Sequence, residues 1–136
     1  MQEKKLLKLT SRIESVEKAA FEAAEFARES SLGEEEIFAI DMAVRESVAN
    51  AVKHGNKLDE TKNVEITFFN AASGFEITIR DFGEGFAVED IPDPTDPENL
   101  LKASGRGILF MRSFMDEVEW TNHAEGGTIV KMIKKR

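Results

Sequence analysis

The stretch NVEITFFNAASGFEITIRDF, residues 63–82, decides the fold of this chain. Apolar and polar residues alternate with period two in NVEITFF and again in GFEITIRDF, and the short segment NAAS separates the two runs. This pattern predicts two half-buried strands that pair as an antiparallel hairpin. One face of the second strand carries Phe75, Ile77, Ile79 and Asp81. A carboxylate is therefore expected on the covered face of a sheet.

Helices are predicted before this hairpin. KKLLKLT alternates weakly, as an edge strand does, and the following SRIE predicts a capping box with Ser11 as the N-cap of a first helix that lasts until Gly33. A second helix is expected from Glu34 to about Lys53, with Gly55 as its stop signal. EVEWT and TIVKMIK predict a closing hairpin. The elements together indicate an α+β fold.

Length and composition limit the possible classes of protein. The chain has 136 residues and 41% hydrophobic residues, which predicts a single domain over residues 1–136. A net charge of −8 argues against a direct nucleic-acid partner, because such binding requires clustered Lys and Arg. No apolar stretch approaches the ~20 residues of a membrane span, so a cytoplasmic location away from membranes is expected.

The segment from Ala87 to Ser104 has no periodic pattern and contains three prolines among acidic residues. Its length exceeds that of most connections in compact domains, and such loops are commonly functional or disordered. We therefore predict a loop or lid. GRGILFMRSFM, which follows, predicts a short helix.

Asp81 and the glycines that follow it allow two interpretations. A covered carboxylate needs donors, which a ligand or the protein's own amides can supply. Gly83 and Gly85 permit a close approach of the backbone to a ligand. The alternative is a turn in which Asp81 bonds to its own loop.

A second set of polar residues lies on the predicted second helix. Glu46 and Asn50 are four residues apart, and His54 follows one turn later, so the three share one face. This face is either solvated or covered by another part of the chain. Neighbouring apolar residues, Met42 and Ala49 among them, favour a covered face.

A third set opens the helix after the acidic segment. Gly105, Arg106 and Gly107 precede it, and free N–H groups at a helix start together with an arginine suit an anion such as phosphate. A simple hinge is the alternative.

The order of these sets resembles the ATP-binding boxes of one superfamily. E-x-x-x-N-x-x-x-H-G starts at Glu46, D-x-G-x-G-F starts at Asp81, G-R-G follows at residues 105–107, and G-T ends the series at residues 127–128. This series is similar to that of the GHKL ATPases, which comprise DNA gyrase, heat-shock chaperones, histidine kinases and mismatch-repair ATPases. The short chain most resembles the anti-sigma factor serine/threonine kinases of that superfamily. The resemblance implies a Bergerat-type fold, a two-layer α/β sandwich whose mixed, mostly antiparallel sheet is covered by helices on one face.

The resemblance also implies roles for single residues. Asp81 would accept the amino group of adenine with Thr128 nearby, Asn50 would bind Mg²⁺, and Glu46 would act as the catalytic base. The remaining residues implied to bind ATP are His54, Gly55, Gly83, Gly85, Phe86, Gly105, Arg106 and Gly107.

A function follows from the resemblance as an expectation. The protein would be an ATP-dependent serine kinase that phosphorylates an anti-anti-sigma protein, sequesters a sigma factor and forms a homodimer. Two alternatives stay open. One is a nucleotide-gated binding module with little phosphotransfer, and the other is a stand-alone histidine-kinase-like ATPase domain.

Overall fold

The computed structural model describes residues 4–83 and 111–135. In chain order the elements are β1 (Lys4–Thr10), α1 (Glu14–Glu29), α2 (Glu34–Asn50), a π-helical turn (Ala51–Gly55), β2 (Asn63–Ala71), β3 (Gly74–Arg80), β4 (Glu117–Asn122) and β5 (Thr128–Lys135). Residues 111–114 are also helical. The five strands form one sheet in the order β1-β2-β3-β5-β4.

The predicted fold class is confirmed, and every described strand pairing is antiparallel. The hairpin predicted from residues 63–82 is β2–β3, in which Ile66 lies opposite Ile79 and Phe68 opposite Ile77. The inner residues of these strands are buried, whereas their neighbours on the other face are partly exposed. Both helices therefore cover the same face of the sheet, and the period-two pattern identified that face.

Three aromatic rings fill one end of the layer between helices and sheet. Phe26 of α1 lies with its ring centroid 6.1 Å from that of Phe68 and 5.7 Å from that of Phe75. The rings of Phe68 and Phe75 are 6.3 Å apart. All three side chains are at most 1% exposed. These contacts join α1 to the central hairpin by burial of a large apolar area.

The capping box predicted at Ser11 is wrong. Helix α1 begins at Glu14 without a side-chain cap. Ser11 is buried and its hydroxyl donates to the carbonyl oxygen of Lys62 at 2.9 Å. The Ser11 side chain therefore makes a tertiary contact in place of the helix-capping bond that the local pattern predicts.

Helix α1 also ends before Gly33, at Glu29. Ser31 adopts φ 65°, the left-handed conformation that glycine usually takes after a helix. The Ser31 N–H donates to the carbonyl of Arg28, and the Leu32 N–H donates to that of Ala27, which is the Schellman pattern of hydrogen bonds. Gly33 instead precedes the first turn of α2 as its N-cap.

Helix α2 follows its predicted apolar stripe and then widens. Ile37, Ile40, Val44, Val48 and Ala51 are all buried. The π-helical turn follows directly and ends at Gly55, the predicted stop. None of the helices within the described part of the chain is long and apolar enough to cross a membrane.

Candidate functional site

Asp81 lies just past the end of β3, on the covered face, and is only 6% exposed. Its Oδ1 accepts the N–H of Gly83 at 3.0 Å and the N–H of Thr128 at 3.2 Å. Its own N–H donates to the Thr128 carbonyl at 3.0 Å. Among residues 4–83 and 111–135, no hydrogen bond reaches Oδ2. One carboxylate oxygen is thus fixed by the protein, and the other can accept a donor from a ligand.

Three glycines pack closely around the turn that begins at Asp81. A Cβ atom at Gly55 would lie 2.2 Å from Oδ2 of Asp81, and one at Gly83 would lie 1.9 Å from the Gly55 carbonyl oxygen. Gly127, at φ +88°, would place a Cβ 2.0 Å from the Asp81 carbonyl oxygen. Side chains are therefore excluded at all three positions. The glycine backbone thus packs directly against residues 81–82 and the Asp81 carboxylate, which holds the buried acceptor in place.

Burial raises the pKa of Asp81 above its ordinary value, because the charged form loses contact with water. The hydrogen bonds from Gly83 and Thr128 oppose this shift, and so, more weakly, do the positive charges of Lys62 and Arg80. A ligand that donates to the carboxylate would further stabilise its charged form. The site is therefore better satisfied with such a ligand than without it.

Asn56 is a site residue that the sequence analysis missed. Its side chain is 1% exposed, and its Oδ1 accepts the N–H of Phe82 at 2.8 Å. Its Nδ2 donates to Ser11 Oγ at 2.6 Å and to the Asn63 carbonyl at 3.0 Å. These partners are far apart in sequence, so periodicity could not reveal them. The only local signal was a polar residue directly after the predicted helix stop.

Glu46 and Asn50 are half-buried, whereas His54 is exposed. The first two lie on α2, one turn apart, but His54 lies in the π-helical turn. The predicted position of His54 on the same face as Glu46 and Asn50 stays a prediction. Arg45, beside Glu46, donates to Asp41 at 2.9 Å and also to Glu17 of α1.

The described structure thus brings Gly55, Asp81, Gly83 and Thr128 together. The predicted residues Gly85, Phe86, Gly105, Arg106 and Gly107 lie outside the described residues, as does the predicted lid from Ala87 to Ser104. Within residues 4–83 and 111–135, no group of three or more His, Cys, Asp or Glu side chains could hold a metal ion.

Known proteins resemble this chain over most of its length. Residues 9–134 match the histidine kinase-like ATPase domain. An anti-sigma F factor of Clostridium acetobutylicum is 33% identical over 139 residues, which cover 99% of this chain and 95% of that protein. The anti-sigma F factor of Anoxybacillus flavithermus is 38% identical over 104 residues, which cover 74% and 70% of the two chains.

A solved structure supports the fold alone. The crystal structure of the RsbU and RsbW domains of a Mycobacterium tuberculosis protein superposes with a TM-score of 0.72 at 18% identity. The superposition covers 98% of this chain but 32% of that one, so this chain spans about a third of the neighbour's length. The family model matches nearly the whole chain, one anti-sigma F factor aligns over 99% of it and another over 74%. The chain therefore belongs to the histidine kinase-like ATPase domain family and, within this GHKL-type group, to the anti-sigma factors.

Proposed function

We propose that this protein is an ATP-dependent protein serine/threonine kinase that acts as an anti-sigma factor. The observation that carries the proposal is the buried carboxylate of Asp81, with one oxygen held by two backbone N–H groups and the other without a hydrogen bond from the described residues. Membership of the ATPase family supplies the nucleotide that would complete this site.

In the proposed complex, Asp81 accepts the amino group of adenine. Its Oδ2 is the available acceptor, because no hydrogen bond from the described residues reaches it, and Gly55 lets the backbone pack directly against this carboxylate. Guanine carries a carbonyl where adenine carries this amino group, so it would place an acceptor against a carboxylate. ATP should therefore bind better than GTP.

Bound ATP supplies the phosphoryl group, and Mg²⁺ supplies charge neutralisation at the phosphates. Asn50 would hold the metal ion through its side-chain oxygen, and Gly105, Arg106 and Gly107 would bind the phosphates. Glu46, one helical turn from Asn50, would take the proton of the attacking serine hydroxyl. The new bond joins that serine oxygen to the γ-phosphorus, and the bond between phosphorus and ADP breaks.

The proposed partners follow from the names of the relatives. Those relatives are anti-sigma F factors, so we propose that this chain binds a sigma factor and phosphorylates an anti-anti-sigma protein. We further propose a cytoplasmic homodimer without direct contact to nucleic acid. The acidic chain, with net charge −8, suits a basic protein surface as a partner.

A phosphotransfer assay tests the proposal. The purified chain is mixed with Mg-ATP and candidate anti-anti-sigma proteins, and mass spectrometry then locates any phosphate. Acid-stable phosphate on a serine of the substrate is the expected product. Acid-labile phosphate on a histidine would instead support the stand-alone histidine-kinase-like alternative.

Glu46→Gln is the matched variant for this assay. General-base assistance is typically worth about 10²–10⁴-fold, so this change should slow phosphotransfer by that order and leave ATP binding nearly intact. Phosphotransfer at the native rate in Glu46→Gln would remove Glu46 from the catalytic role. ATP binding by the native chain without any phosphotransfer would favour the nucleotide-gated binding module.

A further inference from the structure

We propose that Asn56 is a positioning residue for the nucleotide site, acting through the turn from Asp81 to Gly83. The inference rests on the proposed placement of adenine against Asp81. Asn56 itself would not touch the nucleotide. It would fix the peptide group that orients the carboxylate.

The hydrogen bonds of Asn56 join three separate parts of the chain. Its backbone N–H donates to the Ala51 carbonyl at 2.8 Å and so closes the π-helical turn. Its Nδ2 reaches Ser11, beside β1, and Asn63, the first residue of β2. Its Oδ1 accepts from Phe82. Each polar atom of this buried side chain therefore has a partner, which fixes its orientation.

Phe82 is the residue through which Asn56 would act. Its N–H belongs to the peptide group that joins Asp81 to Phe82, so the 2.8 Å bond to Oδ1 of Asn56 fixes the plane of that group. The carbonyl of Gly55 and the backbone of Gly127 pack closely against residues 81–83. These packing contacts limit translation of the turn, but they satisfy no donor. Loss of the Asn56 acceptor would leave the Phe82 N–H unpaired, and the turn would have to rotate to find another partner.

The two ends of the Asn56 amide bind different parts of the chain, so variants can separate a role in positioning the turn from a role in stabilising the fold. Nδ2 holds β1 and β2, and Oδ1 holds the turn beside Asp81. Ser11→Ala removes one partner of Nδ2 and leaves the Phe82 bond in place. Asn56→Leu keeps a side chain of similar size and removes the hydrogen bonds of both Nδ2 and Oδ1. Ser11→Ala is thus the matched control, because it should affect the stability of the fold and leave the turn beside Asp81 in position.

Calorimetric titration with Mg-ATP, at a temperature where all variants are folded, tests the proposal. Asn56→Leu should bind ATP about tenfold more weakly than the native chain and should discriminate less between ATP and GTP, whereas Ser11→Ala should stay within about twofold of native. Native affinity in folded Asn56→Leu would overturn the inference, and so would an equal loss of affinity in both variants. If the native chain binds no ATP, the proposed function itself fails.

A measurement on the native chain covers the case in which Asn56→Leu does not fold. Hydrogen exchange followed by NMR should show a slowly exchanging Phe82 amide without nucleotide, and in Ser11→Ala this amide should stay protected. Exchange of the native Phe82 amide at the rate of a free loop amide would overturn the inference. This result does not depend on ATP, so it separates failure of the Asn56 role from failure of the proposed kinase.

Discussion

The buried face of β3 carries an aromatic ring near the start of the strand and a carboxylate just past its end. Phe75, near its start, packs against Phe26 and Phe68, and we call these three side chains the aromatic end. Asp81 follows the last residue of β3 and accepts a hydrogen bond from the N–H of Thr128, while Asn56 accepts one from the N–H of the next residue, Phe82. We call Asp81, Asn56 and Thr128 the polar end. Each of the six side chains is at most 6% exposed. Depth of burial alone therefore does not distinguish a stabilising region from a binding region.

The difference lies in what each end does without a ligand. The aromatic end is satisfied by packing, which is not directional and needs no partner outside the chain. The polar end contains a carboxylate whose pKa burial raises, and one of its oxygens has no hydrogen bond from the described residues. We infer that the aromatic end maintains the fold and that the polar end is retained for its ligand.

The largest expected effect is at the aromatic end. Phe75→Ala should lower the free energy of unfolding by about 3–5 kcal/mol, because it removes a fully buried ring and leaves a cavity between α1 and the sheet. Denaturant unfolding measures this loss. Phe75→Leu, which keeps much of the volume, should lose clearly less. Equal losses in the two variants would show that the cavity is not the cause.

Asp81→Asn should produce the opposite behaviour at the polar end. The asparagine Oδ1 can still accept from Gly83 and Thr128, while an NH₂ group replaces Oδ2 and faces the adenine amino group. ATP binding should weaken by roughly 1.5–3 kcal/mol in calorimetric titration, the usual worth of a hydrogen bond to a charged group. The nucleotide-free variant should be at least as stable as the native chain. A large loss of its stability would mean that Asp81 serves the fold.

A smaller effect is expected from pH. The raised pKa means that the native chain keeps a proton on Asp81 where the unfolded chain has lost it. This group therefore lowers the free energy of unfolding as pH rises from the unfolded pKa, about 3.9, through the native one. Other carboxylates, such as Glu22 beside Lys5, have lowered pKa values and the opposite slope.

The pH effect of Asp81 is isolated as a difference between the native chain and Asp81→Asn. Nucleotide-free native protein should lose stability relative to the variant as pH rises through this window. The melting shift caused by ATP should grow over the same window, because the adenine amino group donates best to an ionised carboxylate. Parallel pH profiles for the two proteins would contradict the assignment.

The smallest expected effect lies at the end of α1, on the side of the aromatic end. Ser31 has φ 65°, which disfavours any residue with a Cβ, so Ser31→Gly should raise the free energy of unfolding by about 0.5–1 kcal/mol. Thermal unfolding measures the gain. Ser31→Ala is the control, because alanine keeps the strain and should give no gain. ATP affinity should not change, since this position lies outside the polar end.

The sequence predicted those parts of the molecule that depend on local periodicity. The alternation in residues 63–82 identified both strands of the central hairpin and the burial of Asp81, and helical spacing identified the buried stripe of α2. The sequence failed to predict structure that depends on contacts between residues far apart in the chain. Ser11 looked like a helix cap because its bonds to Lys62 and Asn56, which lie far along the chain, are invisible to a local pattern.

The sequence likewise predicted some parts of the candidate site and missed others. Motif order brought Asp81, Gly55 and Thr128 into one hypothesis, and the structure places them in contact. Asn56 and the π-helical turn were missed, because neither has a spacing signal of its own. The π-helical turn directly follows α2, and its last residue, Gly55, lies beside Asp81 only in the folded chain.

The pairing of β1 with β2 also affects how this chain folds. β1 lies at an edge of the sheet, and both helices come between it and its partner β2 in sequence. Closing this long segment loses more chain entropy than forming either hairpin, and long-range strand pairs slow folding. We expect β1 to join the sheet after the hairpins have formed. Ser11 follows directly after β1, so its bond to Asn56 would form only in this last step, whereas the bond from Phe82 to Asn56 that orients the turn beside Asp81 needs no residue of β1.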